Sequence, residues 1–319
     1  MFVTSDIFDL KQIAWKRGIA DWKEQLVGGV GFHGTDYPGA EAVARFLITA
    51  AEICGLEGQL PRAGYWVRWG EPSEHVEPSM LGELARGALP EASGADGVYL
   101  LGPASASGGV VSGGPRVTED RSGLVPDCPY RAFDGAFLFA VEGESLQRAQ
   151  ALLRLAAEVV QADYGYYFVR DALADPTSFL DAMTGRFDRS LLGRADHLEA
   201  DMWNNFVRTG ELWTGVWPQL RDLFAVNLLS EWHFRADLVA FGHLDEWIKS
   251  EPGRGQLTRL GDGRVLWTLT DEQLYAVRPI LWDTALTRTC MPRVYRDLPY
   301  ARERPDPDTG KFSAPTSAN

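Results

Sequence analysis

Cysteine is scarce in this chain. Only Cys54, Cys128 and Cys290 occur, far apart and without a Cys-x-x-Cys pair. An odd, dispersed set excludes a disulfide framework or a zinc knuckle as the organising device and fits a reducing compartment. Basic runs are missing as well, and the formal net charge is −13. A surface of that sign disfavours general nucleic-acid binding, because neutralising phosphates needs clustered Lys and Arg. It favours a cationic partner instead. No apolar stretch approaches the roughly 20 residues that a helix needs to cross a bilayer. Met1 to Leu10 lack a basic region followed by an apolar run, so no secretory signal is expected. These absences predict a cytoplasmic protein without membrane contact.

The signatures of chemistry are missing too. The Gly-rich stretch after Leu101 has no following Gly-Lys-Ser/Thr and no dinucleotide spacing, so it predicts a flexible hairpin or mobile loop over 105–115 and no cofactor. His197-x-Glu199-x-Asp201 puts ligand-capable side chains close together. On a helix only His197 and Asp201 would share a face, so no metal is expected. No Gly-x-Ser-x-Gly elbow occurs, and no catalytic residue is assigned. An enzyme would have to assemble its site from distant groups, with His33, Asp36 and His233 as the candidates. A scaffold subunit is a third reading, resting on the Trp-rich 203–247 stretch.

What is present is a repeated local plan. Gly29 to Trp69 and Asp134 to Arg170 each read as a short apolar strand, an amphipathic helix and a strand rich in aromatics. In the first, Val43, Phe46, Leu47, Ala50 and Cys54 share a helix face before the strand AGYWVRW (63–69). In the second, Phe133–Val141 is a buried strand. Leu146, Ala149, Leu152, Leu153, Ala156, Val159 and Val160 make a wide apolar helix stripe, and Tyr166–Val169 is the returning strand. Units of this length join parallel strands by a crossover with the helix on one sheet face. The fold class expected is α/β, a mixed sheet flanked by helices, with the two units in pseudo-symmetric arrangement.

Around these units the pattern is plainer. Residues 6–26 suggest one or two short helices, 70–97 a loop with a helical turn near Leu81–Ala85, and 97–102 a strand. Helices are expected at Pro176–Phe187, Arg194–Arg208 and Leu238–Lys249, while Pro218 interrupts Trp213–Leu229. Gly261-Asp262-Gly263 between Gln256–Leu260 and Arg264–Leu269 is a hairpin signal. Thr270-x-x-Gln273 is a capping box for a helix toward Leu286, bent at Pro279. Residues 1–301 thus read as one α/β domain with a more helical C-terminal half, and 302–319 as a disordered tail.

Two acidic clusters remain as interaction candidates. One is Glu71, Glu74 and Glu77; the other is Asp196, Glu199 and Asp201 beside Trp203. Charge speeds encounter and an aromatic anchors the complex, so both suit capture of a basic protein. A homo-oligomer stays open.

The order of features also resembles a family. ADYGYYFVRD (162–171) is followed by LRDLFAVNLLSEWH (220–233), HLDEWI (243–248), the hairpin QLTRLGDGRVLWTL (256–269) and a final helix. This is similar to the type VI secretion immunity proteins of the DUF3396 kind, with Asn227-Leu228-Leu229 and Gly261-Asp262-Gly263 carrying the likeness over Phe133 to Leu286. The resemblance implies a protein that neutralises a nuclease toxin, and it implies no catalytic residues.

Overall fold

The computed structural model describes residues 26–67, 73–92, 94–102, 107–113, 133–171, 220–234, 237–238 and 242–283. Within them the chain forms β1 (Leu26–Gly34), α1 (Ala40–Ile53), β2 (Arg62–Trp66), β3 (Glu74–Val76), α2 (Met80–Ala85), β4 (Gly97–Leu101) and β5 (Gly108–Gly113). It continues with β6 (Phe133–Ala140), α3 (Ser145–Val159), β7 (Tyr164–Asp171), β8 (Val226–Leu229), α4 (Glu231–Phe234), β9 (Asp237–Leu238) and β10 (Gly242–His243). Then come α5 (Leu244–Lys249), β11 (Gln256–Arg259), β12 (Val265–Thr268) and α6 (Asp271–Asp283). The expected helices at 176–187 and 194–208, the N-terminal helices over 6–25 and the tail lie outside the described residues.

Ten strands make one sheet in the order β11-β12-β8-β7-β1-β6-β5-β4-β2-β3. The α/β class is as expected, but every neighbouring pair runs antiparallel, so the sheet is antiparallel rather than mixed. Both strand–helix–strand units form. β6 and β7 do run parallel, with β1 inserted between them and antiparallel to each. In the first unit β1 and β2 are separated by three strands. The two units share a local plan and differ in where their second strand lands.

Packing explains why β1 sits in the middle. Its glycines face large side chains on both neighbours: Gly28 pairs with Phe139 and Val169, and Gly29 with Leu138 and Phe168. A Cβ on Gly29 would lie 2.4 Å from the Phe168 ring and 2.6 Å from Leu138, so only glycine lets these side chains close over the strand. Conversely, Phe32 fills the space left by Gly135 and Gly165.

Helices α1 and α3 bury their apolar stripes on one sheet face. Val43, Phe46, Leu47, Leu152 and Leu153 meet Val30, Phe32, Phe137, Tyr167 and Leu228 there. The other face carries Val27, Leu138, Tyr166, Phe168 and Trp267, covered by Leu244, Trp247 and Ile248 of α5 and Leu274, Val277 and Leu281 of α6. No described helix is long and apolar enough to cross a membrane.

Several local expectations need correction. The Gly-rich 105–115 stretch contributes β5, an internal strand paired to β4 and β6. A Cβ on Gly108 (φ 97°) would lie 2.1 Å from the Leu100 carbonyl oxygen, so glycine here permits close strand approach. Residues 70–97 hold a strand, β3, as well as the expected helical turn, which is α2. The helix expected over 238–249 is confined to α5, because Gly242 (φ 76°) turns the chain first. The hairpin and the capping box form as read. Asp262 and Gly263 take φ of 59° and 76°. Thr270 N–H donates to Gln273 Oε1 (3.0 Å), and Gln273 N–H donates back to Thr270 Oγ1 (3.3 Å).

Candidate functional site

On the sheet face that bears α5 and α6, polar groups from distant parts of the sequence converge. The β1–β7 register sets His33 opposite Tyr164, and the β1–β6 register sets His33 opposite Asp134. His33 Nδ1–H donates to Asp134 Oδ1. The rings of His33 and Tyr164 stack at 5.9 Å, and the His233 ring lies 5.3 Å from Tyr164. Arg221 then ties the loop before β8 to this strand. Its backbone N–H donates to Tyr164 Oη (2.8 Å), and its Nη1 donates to Tyr166 Oη (2.7 Å). Asp222 accepts the Leu223 N–H (2.7 Å) and two donors from Arg278.

Electrostatics tell what this cluster can do. Burial pushes the Tyr164 phenol far above its ordinary range, with Tyr166 adding to the rise, so it stays protonated. Burial also lowers the His233 imidazole from 6.5 to about 4, against the opposing pull of Asp163. His233 is therefore neutral near pH 7, and its Nδ1 accepts the Ser230 N–H at 3.1 Å. A general base needs a proton-accepting nitrogen that a substrate can reach. His33 has its Nδ1 on Asp134 and its Nε2 buried, and the His233 Nδ1 is taken by Ser230. The cluster's geometry joins the C-terminal segment to the sheet through charge-assisted hydrogen bonds.

Of the three residues expected in an assembled enzyme site, the structure thus brings His33 and His233 to one tyrosine and leaves Asp36 exposed on the turn after β1. Asp134, Tyr164, Arg221, Asp222 and Arg278 were not legible as partners. The signal for Tyr164 was the aromatic run of β7 facing the glycines of β1. Among the described residues no group of three His, Cys, Asp or Glu could hold a metal ion. His197, Glu199 and Asp201 lie outside them.

The interaction candidates divide in the same way. Glu71, Asp196, Glu199, Asp201 and Trp203 lie outside the described residues, whereas Glu74 and Glu77 are exposed on and just after β3, the last strand at its end of the sheet. Register places Glu74 beside Tyr65. Burial raises the Tyr65 phenol, and the carboxylates of Glu91 and Glu74 raise it further, so Glu91 joins the same rim. Sequence spacing could not reveal Glu91, which arrives on a short 3-10 turn at Pro90–Ala92. On the opposite side of the strand edge, Trp66 stacks on Tyr99 at 6.3 Å, and the Tyr99 hydroxyl hydrogen-bonds His75 Nδ1. No ion pair reaches Glu74, Glu77 or Glu91 among the described residues.

No family model matches the chain, and no curated protein does. A solved Pseudomonas aeruginosa T6SS protein is similar in structure, with a TM-score of 0.47 and 13% identity over 84% of this chain and 75% of that one. Similarity at this level bears on neither partner nor activity.

The residues that carried the family resemblance have clear local roles. Asn227 is fully buried, and its side chain closes the turn before β8 by accepting the Phe224 N–H (3.1 Å) and donating to the Phe224 carbonyl (2.6 Å). Gly261–Gly263 presents Arg264 to Asp163 and to the Gln161 carbonyl, each at 3.2 Å. Asp163 in turn accepts the Thr35 N–H (3.0 Å) and hydroxyl (2.8 Å). Both segments serve the scaffold that holds the sheet in register.

Proposed function

We propose that this chain is a cytoplasmic immunity-type binding protein that captures and occludes a cationic protein toxin. The observation that carries the reading is the rim at β3. Glu74 and Glu91 act on Tyr65, Glu77 follows β3, and none of the three makes an ion pair among the described residues, at the end of a sheet in a chain of net charge −13. Carboxylates left unneutralised repel one another mildly, and a cationic partner turns that repulsion into attraction while speeding encounter. The aromatic side of the same edge carries the half-buried Trp66, the kind of side chain on which interface energy concentrates. The toxin class, a nuclease delivered by type VI secretion, follows from the sequence resemblance over 133–286.

Co-expression with the effector encoded beside the gene tests the reading. Growth restored by the wild type, and lost again in Glu74→Lys/Glu77→Lys with folding intact by circular dichroism, is the expected result. No protection by the wild type, with no complex on gel filtration, would remove it.

A further inference from the structure

We infer that the cationic partner docks as an added strand along β3, which deepens the binding reading and rests on it. β3 ends the ten-stranded sheet: its inner side pairs with β2 through Ala63↔Val76, Gly64↔His75 and Tyr65↔Glu74. Apart from that ladder, no backbone bond to residues 74–76 occurs among the described residues. An edge of this kind is a template for one more strand, whose main chain supplies the pairing and whose alternate side chains supply the selectivity.

Register fixes what those alternate side chains meet. Glu74 lies on the face of Tyr65, the side toward the helices, where Glu91 also reaches. His75 lies on the opposite face with Tyr99 and Trp66. A strand that alternates Lys or Arg with apolar residues therefore puts its cations beside Glu74 and its apolar side chains beside His75, whose ring packs against Tyr99.

Charge selects this occupant over the others. Two β3 edges repel each other, which bars self-pairing through the same strand. The far edge of the sheet, β11, bears Arg259 and no carboxylate, so a cationic strand is disfavoured there. A second copy presenting β11 to β3 would bring Arg259 as its only charged strand residue against three carboxylates, between two bodies of net charge −13. The better match is a more basic strand from another protein.

Two synthetic octapeptides of alternating lysine and valine test this, one with an ordinary backbone and one with every backbone nitrogen methylated. They have the same charge, and only the first can pair as a strand. The expected result is at least ten-fold weaker binding of the methylated peptide to the full chain by fluorescence anisotropy. The ordinary peptide should also slow amide exchange at residues 74–76 and lose affinity in Glu74→Lys/Glu77→Lys. Equal affinity of the two peptides, or unchanged exchange at 74–76, would overturn strand addition and leave charge-driven capture standing. Failure of both peptides to bind would overturn the inference. If the neighbouring effector then also fails to bind, the binding reading falls with it. Concentration-dependent self-association abolished by Arg259→Glu would assign the edge to a second copy and likewise overturn the proposal.

Discussion

Arg278 on α6 holds Asp222 on the loop before β8, its Nε donating to Oδ1 at 3.1 Å and its Nη2 to Oδ2. Asp222 is 1% exposed, so the guanidinium is what makes its burial tolerable. The pair fastens α6 to the segment that also delivers Arg221 to Tyr164 and Tyr166.

Replacing Arg278 with Ala leaves that carboxylate buried without its main partner. Because Asp222 keeps the Leu223 N–H, the loss expected is about 3 kcal/mol, the lower end for breaking a buried ion pair. Urea denaturation of Arg278→Ala measures it. The double variant Asp222→Asn/Arg278→Met should recover part of the loss, since it removes the uncompensated charge.

Gly135 sits opposite Phe32 in the β1–β6 ladder, and a Cβ there would lie 2.0 Å from the Phe32 ring. Gly135→Ala should destabilise by roughly 1–3 kcal/mol, the usual range for overpacking a filled core. A smaller residue at 32 gives the methyl somewhere to go. Gly135→Ala/Phe32→Leu should therefore unfold at a higher urea midpoint than the sum of the two single changes implies, a coupling that a double-mutant cycle reads directly.

His233 predicts a pH dependence. Its imidazole falls from 6.5 to about 4 on folding, so between those values the unfolded chain binds the extra proton and the folded chain does not. Stability from this group is therefore complete above pH 6.5, declines as the pH drops toward 4, and changes little below that. At about 1.4 kcal/mol per unit, the full loss is about 3 kcal/mol. The slope of unfolding free energy between pH 6.5 and 5 should flatten in His233→Asn, and an unchanged slope would place the titration elsewhere.

The helices and the hairpin were legible because their evidence is local. The stripe from Leu152 to Val160, the Asp262-Gly263 turn and the Thr270–Gln273 box each declare themselves within a few residues. The sheet order was not. The period-two pattern reports that β1, β6 and β7 are strands, and it says nothing about which are neighbours. β5 was read as a flexible hairpin or mobile loop because glycine favours both flexible segments and close strand contacts, and the Leu100 carbonyl beside Gly108 distinguishes the two. The polar cluster depends on the same long-range register. His33 and His233 could be named from the sequence, but Asp134 and Tyr164 became neighbours of His33 only through pairings more than a hundred residues long, and Tyr164 met His233 only through tertiary folding. On the acidic rim, Glu74 and Glu77 were visible as a cluster, whereas Glu91 needed tertiary folding to join them.

The central position of β1 governs the order in which the molecule can be made. Both of its flanking strands lie about a hundred residues or more downstream, so its hydrogen-bonding groups wait for them while that length of chain is made. Until Asp171 has emerged, that glycine-rich ribbon has one long edge without its native mate. Folding slowed by the closure of these two long loops follows from that topology.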